Sequence, residues 1–137
     1  MINGIILKKL ESLDDILREL ESLGQVKIET LNNDWLTRRA VERALQVLVE
    51  IVLDVCHRLI SLAGEAPATT GAGAIKRCVE IGALSGVDPF RKMVQFRNFI
   101  VHRYEQVDVK ILAGMVNTHL EDFKQFKDEV LSYVRKS

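Results

Sequence analysis

The chain has 137 residues, 47% apolar and 28% charged, with only two prolines. That is the make-up of a globular protein that buries its core without disulfides or metals, and it argues against extensive disorder. Nineteen basic residues balance nineteen acidic ones, which excludes a chain-wide attraction to nucleic acid and leaves any such binding to a local cluster.

In chain order, Ile5, Ile6 and Leu7 are followed at once by Lys8 and Lys9, unlike the apolar run of a signal peptide. Ile6, Leu10, Leu13, Leu17 and Leu20 repeat at steps of four and three, which predicts a first amphipathic helix stopped at Gly24. Val26, Lys27 and Ile28 carry the chain's one weak hint of a strand. A second, longer helix is predicted from Asn33 or Asp34, either of which can cap it, to about Ala63, with Leu45, Leu48, Val52, Val55 and Leu59 as its apolar stripe. Its most apolar part, residues 47–56, is interrupted by Glu50 and Asp54 and is no membrane span. Residues 64–73 (GEAPATTGAG) read as a loop, followed by a shorter helix over roughly 74–84 that Ser85-Gly86 closes. Cys56 and Cys78 have no paired spacing and read as small apolar thiols rather than a disulfide or metal ligands.

Asp88-Pro89 signals the next helix, with Asp as N-cap and Pro at the first helical position. That fourth helix carries Phe90 to about His102. A break near residues 105–107 precedes a last helix that Asp108 can cap, where Leu112, Met115, Val116, Leu120, Phe123, Val130 and Val134 keep the same rhythm. The expected fold is all-α: an antiparallel bundle of four or five helices forming a single domain over residues 1–137. A cytoplasmic location and no membrane association are expected.

The fourth helix breaks its own pattern. At 100° per residue, Phe90, Met93, Val94, Ile100 and Val101 share one apolar side with Arg97 in its middle, and an arginine there needs a partner or an opening. Arg91, Gln95, Asn98 and His102 fall on a second, polar stripe. Four basic residues (Arg91, Lys92, Arg97, Arg103) and no acidic one lie between Phe90 and Tyr104, a local positive patch suited to phosphate. Phe99 borders the polar face, where a ring suits base stacking or a protein contact. On patterning alone, a solvated helix face with Arg97 snorkelling or paired to a neighbouring helix accounts for the same residues.

The stretch Arg97-Asn98-Phe99-Ile100-Val101-His102-Arg103-Tyr104 resembles the R-x4-H-x-Y motif of the HEPN superfamily. More narrowly, it resembles the HepT-type toxins encoded beside MNT nucleotidyltransferase antitoxins, in which Asn directly follows the Arg. Val41-Glu42-Arg43-Ala44-Leu45-Gln46, followed by Glu50 and Asp54, is similar to that group's long second helix, so the resemblance extends over nearly the whole chain. It implies the toxin of a type VII-like toxin–antitoxin pair, a metal-independent endoribonuclease with no cofactor. His102 would be general base or acid and Arg97 the phosphate clamp, with Asn98 bonding the substrate or orienting the imidazole. Arg91, Gln95, Phe99 and Arg103 would extend the RNA contact. Because one chain supplies a single motif histidine, a homodimer with a composite site is expected, alone or within a larger hetero-oligomer. Such a dimer would also place Arg97's apolar side at an interface. The resemblance further implies that the partner transfers AMP to Tyr104, which would load negative charge and bulk into a phosphate-binding cleft.

Other clusters carry less. Glu50, Asp54 and His57 share a face of the second helix, and a carboxylate-x-x-His pair is an arrangement found in metal-binding bundles. Those need a second such helix, and His119-x-x-Asp122 has the order reversed. Surface ion pairing, including Glu50 with Asp54 and nearby Arg58, is the favoured reading, and the resemblance adds that these acids can brace the bundle beneath the motif. Arg38, Arg39 and Arg43 either extend the RNA surface or form an ordinary solvated face. Phosphate loop, nucleophile elbow and zinc spacing are all absent from the sequence, and no metal site is expected. The alternative function is a non-catalytic HEPN subunit that binds nucleotide or substrate for a separate nucleotidyltransferase; a third is a helical interaction module.

Overall fold

The computed structural model describes residues 3–101 and 108–136, with the backbone alone at 100 and 101. Within them the chain is all-α: α1 (Gly4–Glu21), α2 (Ile28–Asn33), α3 (Trp35–Leu62), α4 (Gly71–Glu80), a 3-10 turn (Asp88–Phe90), α5 (Arg91–Val101), α6 (Val109–Thr118) and α7 (Leu120–Lys136). No described helix is long and apolar enough to cross a membrane.

The 28-residue α3, about 42 Å long at 1.5 Å per residue, is the axis of the fold and touches every other helix. That central position explains its burial on more than one stripe: Leu45, Leu48, Val52, Val55 and Leu59 are buried as expected, and so are Val49, Ile51, Leu53 and Ile60. Facing it, α1 buries Ile6, Leu10, Leu13, Leu17 and Leu20, the five positions its period picked out. The buried apolar residues form one continuous core. Each large side chain removed from water there contributes about 1.5–3 kcal/mol.

The helix ends follow from local chemistry. Asn3 Oδ1 accepts from the amides of Ile5 and Ile6 and starts α1. Asp34, rather than Asn33, caps α3 by accepting from the Leu36 and Thr37 amides, and its other oxygen takes the Thr37 hydroxyl at 2.7 Å. α3 stops where Gly64 turns left-handed, at φ +74°, and the Glu65 amide reaches back to the Ile60 carbonyl, a closure that favours glycine.

Three segments differ from the sequence expectation. Residues 26–28 form no strand: the Asn117 side chain accepts from the Val26 amide at 2.9 Å and donates to its carbonyl at 2.8 Å. A carboxamide from α6 thus does what a neighbouring strand would do, and α2 follows directly. The last predicted helix is two, because the chain breaks at His119, whose φ of −115° is not helical, and His119 Nδ1 meets Asp122 at 3.1 Å across the break. Finally, α4 begins at Gly71 rather than near residue 74, since Thr70 Oγ1 caps the Gly73 amide. Cys56 and Cys78 are free and fully buried between α3 and α4. The Cys78 contact first, and burial second, push the Cys56 thiol well above its ordinary range, so it is an inert core group.

A cavity beneath the motif helix

Pro89 begins the motif helix, but as part of the 3-10 turn; the Asp88 carboxylate takes Arg91 at 2.6 Å instead of capping. Phe90 is buried edge-on against Phe126 of α7, with centroids 5.8 Å apart and planes at 83°, a favourable aromatic geometry. This anchor fixes the rotation of α5. Among its described side chains, Met93 and Phe96 are buried, so the core line runs Phe90–Met93–Phe96 in steps of three.

That line corrects the sequence reading, which put Arg97 in the middle of an apolar side and left Phe96 out of it. Phe96 takes the core position. Arg97, one residue further round, is half-buried beside Val94 on the flank facing α3. The side chains of Ile100 and Val101 lie outside the described residues, as do His102, Arg103 and Tyr104. The polar stripe holds where it is described: Arg91, Gln95 and Asn98 are exposed, and Phe99 is half-buried rather than an open ring.

Arg97 lines a cavity of roughly 250 Å³. Glu50, Leu53, Asp54 and His57 of α3 form one wall; Ala68, Thr69, Thr70 and Gly71, the loop and first residue of α4, form another. Gly71 packs between α3 and α5. A Cβ there would lie 3.4 Å from Val94 Cγ1 and 3.6 Å from Leu53, so the start of α4 settles against both α5 and α3. The helix start presents amide donors of the kind that favour an anion.

The α3 wall is not paired as the sequence suggested. Asp54 bonds Lys9 of α1 at 3.1 Å, and Glu50 accepts from Gln46 at 3.2 Å; neither meets Arg58. Among the described residues no ion pair or hydrogen bond engages Arg97 or His57, and no three His, Cys, Asp or Glu side chains converge as a metal-binding group. A permanent cation, an imidazole and two carboxylates with partners of their own therefore surround one opening. Such a set can bind an oxyanion and move protons near it.

The structure thus joins Arg97 to Glu50, Asp54 and His57, which the sequence had set aside as helix surface. The signal was present in their i, i+4, i+7 spacing; what faced them was not. The Thr69-Thr70-Gly71 corner was missed because its glycines read as loop. Asn98 faces the other way, into a more apolar cavity between α4 and α5 lined also by Ile75, Phe90 and Val94. Of the remaining arginines, Arg39 and Arg43 are exposed, while Arg38 is half-buried with its Nε lacking a partner.

A family model described as ribonuclease HepT-like matches residues 13–130. An mRNA nuclease HepT of Shewanella oneidensis is 44% identical over 43 residues, 31% of this chain and 32% of that protein; the match spans about a third of that relative's length. Among solved structures, the tri-AMPylated Shewanella oneidensis HEPN toxin in complex with MNT antitoxin superimposes with a TM-score of 0.84 at 22% identity, covering 96% of this chain and 99% of that one. YutE, a cytosolic protein of unknown function from Bacillus subtilis, gives 0.84 at 17% identity, covering 98% and 92%. At these identities the structural likeness is one of fold.

Proposed function

Because the chain belongs to the ribonuclease HepT-like family, we propose that it is an endoribonuclease toxin held in check by a nucleotidyltransferase antitoxin of the MNT type. The observation that carries this reading is the placement of Arg97: half-buried, on the wall of a polar cavity, with no partner among the described residues, five positions before His102. A cation left unpaired at a half-buried position costs stability, and a phosphodiester is the partner that its fork of donors fits.

In this reading Arg97 holds the scissile phosphate and stabilises the charge that builds on its oxygens. His102 exchanges a proton with the ribose 2′-oxygen or the leaving 5′-oxygen, which an imidazole does near neutral pH. Asn98, four residues before it, bonds the substrate or orients the ring. Because guanidinium and imidazole cover charge stabilisation and proton transfer, the reaction needs no metal. Arg91, Gln95, Phe99 and Arg103 extend the contact along the strand. A two-fold homodimer joining two motif helices brings two copies of Arg97 and His102 to one composite site, which supplies both a base and an acid. Tyr104 is the acceptor for inactivation: its oxygen attacks the α-phosphorus of ATP on the antitoxin, pyrophosphate leaves, and the AMP now on the tyrosine fills the cleft with negative charge.

Cleavage of a defined RNA in EDTA tests this reading. The wild-type chain is expected to cut, Arg97→Ala and His102→Ala to lose about 10²–10³-fold or more, and cleavage that survives both substitutions overturns it. Co-expression with the neighbouring nucleotidyltransferase is expected to add one or more AMP masses, and Tyr104→Phe to abolish the addition.

A further inference from the structure

A ribonuclease cuts at a chosen place only if part of it touches a base, because phosphate contacts carry no sequence information. The cavity that Arg97 lines is charged and suits a phosphate. Its neighbour between α4 and α5 is of another kind. We propose that this second cavity, of about 260 Å³, holds one base of the RNA, an adenine, with Gln95 and Asn98 reading its edge; this rests on the nuclease reading above.

The walls are apolar: Ile75 of α4, Val87 and Phe90 ahead of α5, and Val94 within it, a surface on which a base ring lies out of water. The rim carries two carboxamides, Gln95 and Asn98, a turn apart on α5, and among the described residues neither has a hydrogen-bond partner. A carboxamide presents a donor beside an acceptor, the complement of adenine's N6 amino group and adjoining ring nitrogen. Guanine is read by a cationic fork instead, and the one cation lining this cavity, Arg91, is held by Asp88 at 2.6 Å. Among the described residues no carboxylate lines it. The cavities along α1 are lined by Glu21 and Glu121, and by Asp14, Glu21 and Asp128, which repel a polyanion. The position also fits. Arg97 and Asn98 are neighbours about 100° apart on α5, and α4 gives Gly71 to the first cavity and Ala72 to the second. A phosphate held at Arg97 thus leaves an adjoining base within reach of Asn98.

The test is single-turnover cleavage of short single-stranded RNAs that differ at one position, moved in turn along the strand. That position carries each of the four bases or unsubstituted purine, which lacks the N6 amino group. The wild type is expected to prefer adenine at one position beside the cut by about 10-fold or more, and to cut the purine RNA as slowly as the disfavoured ones. Ala72→Leu, which fills the mouth of the cavity from an exposed position, and Gln95→Leu are expected to melt with the wild type and to lose the preference. Should either melt lower, the purine RNA decides the matter with the protein unchanged. Equal rates for all bases at every position, a preference for guanine or a pyrimidine, purine cut as fast as adenine, or a preference that survives either substitution overturns the inference. If that happens while Arg97→Ala is inactive, the nuclease reading stands and only the base site falls. A wild type that cuts none of the RNAs, or Arg97→Ala that cuts like the wild type, overturns both.

Discussion

Along the seam between α1 and α7, Lys127 meets Asp14, and Lys124 bridges Glu21 and Glu121 at 3.1 and 3.2 Å. Across the seam between α3 and α5, Arg97 faces Glu50, Asp54 and His57 around an opening and bonds none of them. Both seams carry cations against carboxylates, but only the first closes them into pairs. The difference teaches where to look for function in a neutral chain: a charge that neighbours satisfy contributes to the fold, while a half-buried charge left open is held at a cost that something outside the chain must offset.

Substitution can break this contrast. Arg97→Met should have the largest effect: cleavage lost by about 10²–10³-fold, equivalent to roughly 3–4 kcal/mol, with a melting temperature equal to or above wild type, since the change removes a charge with no partner among the described residues and keeps the apolar stem. A marked drop in melting temperature would show that Arg97 is paired for stability like the other seam. Asn117→Ala, which strands the Val26 amide and carbonyl, should cost about 1–3 kcal/mol in urea unfolding and leave cleavage unaltered. Lys127→Met should cost no more than about 1 kcal/mol, again with cleavage intact; a loss of cleavage there would erase the distinction between the seams.

The smallest effect concerns acid. Hydrogen bonding from the Thr37 hydroxyl, then from the Thr37 amide, holds the Asp34 carboxyl below its ordinary value of 3.8. Its folded value is thus the lower one, so its contribution is complete above the unfolded value and fades as pH falls through the folded one. Asp34→Asn keeps a capping oxygen and should flatten that part of the stability–pH curve; an unchanged acid limb would mean that other carboxylates govern it.

Much of the fold is legible in the residues because burial and helical period coincide. Every apolar position singled out in α1 and in the central part of α3 is buried, and caps such as Asp34 and Asp108 act through side-chain oxygens on nearby amides. The misreadings occur where a distant group supplies the missing bond. Val26 resembles a strand until Asn117, 91 residues away, takes both of its backbone groups. Phe96 was left off the apolar side of the motif helix because spacing alone does not say which sector turns inward; the docking of Phe90 on Phe126 does.

By itself, the sequence determined the all-α class, the two long amphipathic helices, the stops at Gly24 and Gly64, and the cationic RN-x3-H-x-Y stretch, since each depends on neighbours within a turn or two. Only the tertiary structure decided that Arg97 opens toward α3, and that Glu50, Asp54 and His57 line a cavity instead of a plain surface. Those facts depend on how α5 is rotated and where α4 begins. Contacts between residues far apart in the chain set both: Phe90 on Phe126, and Gly71 against Val94 and Leu53.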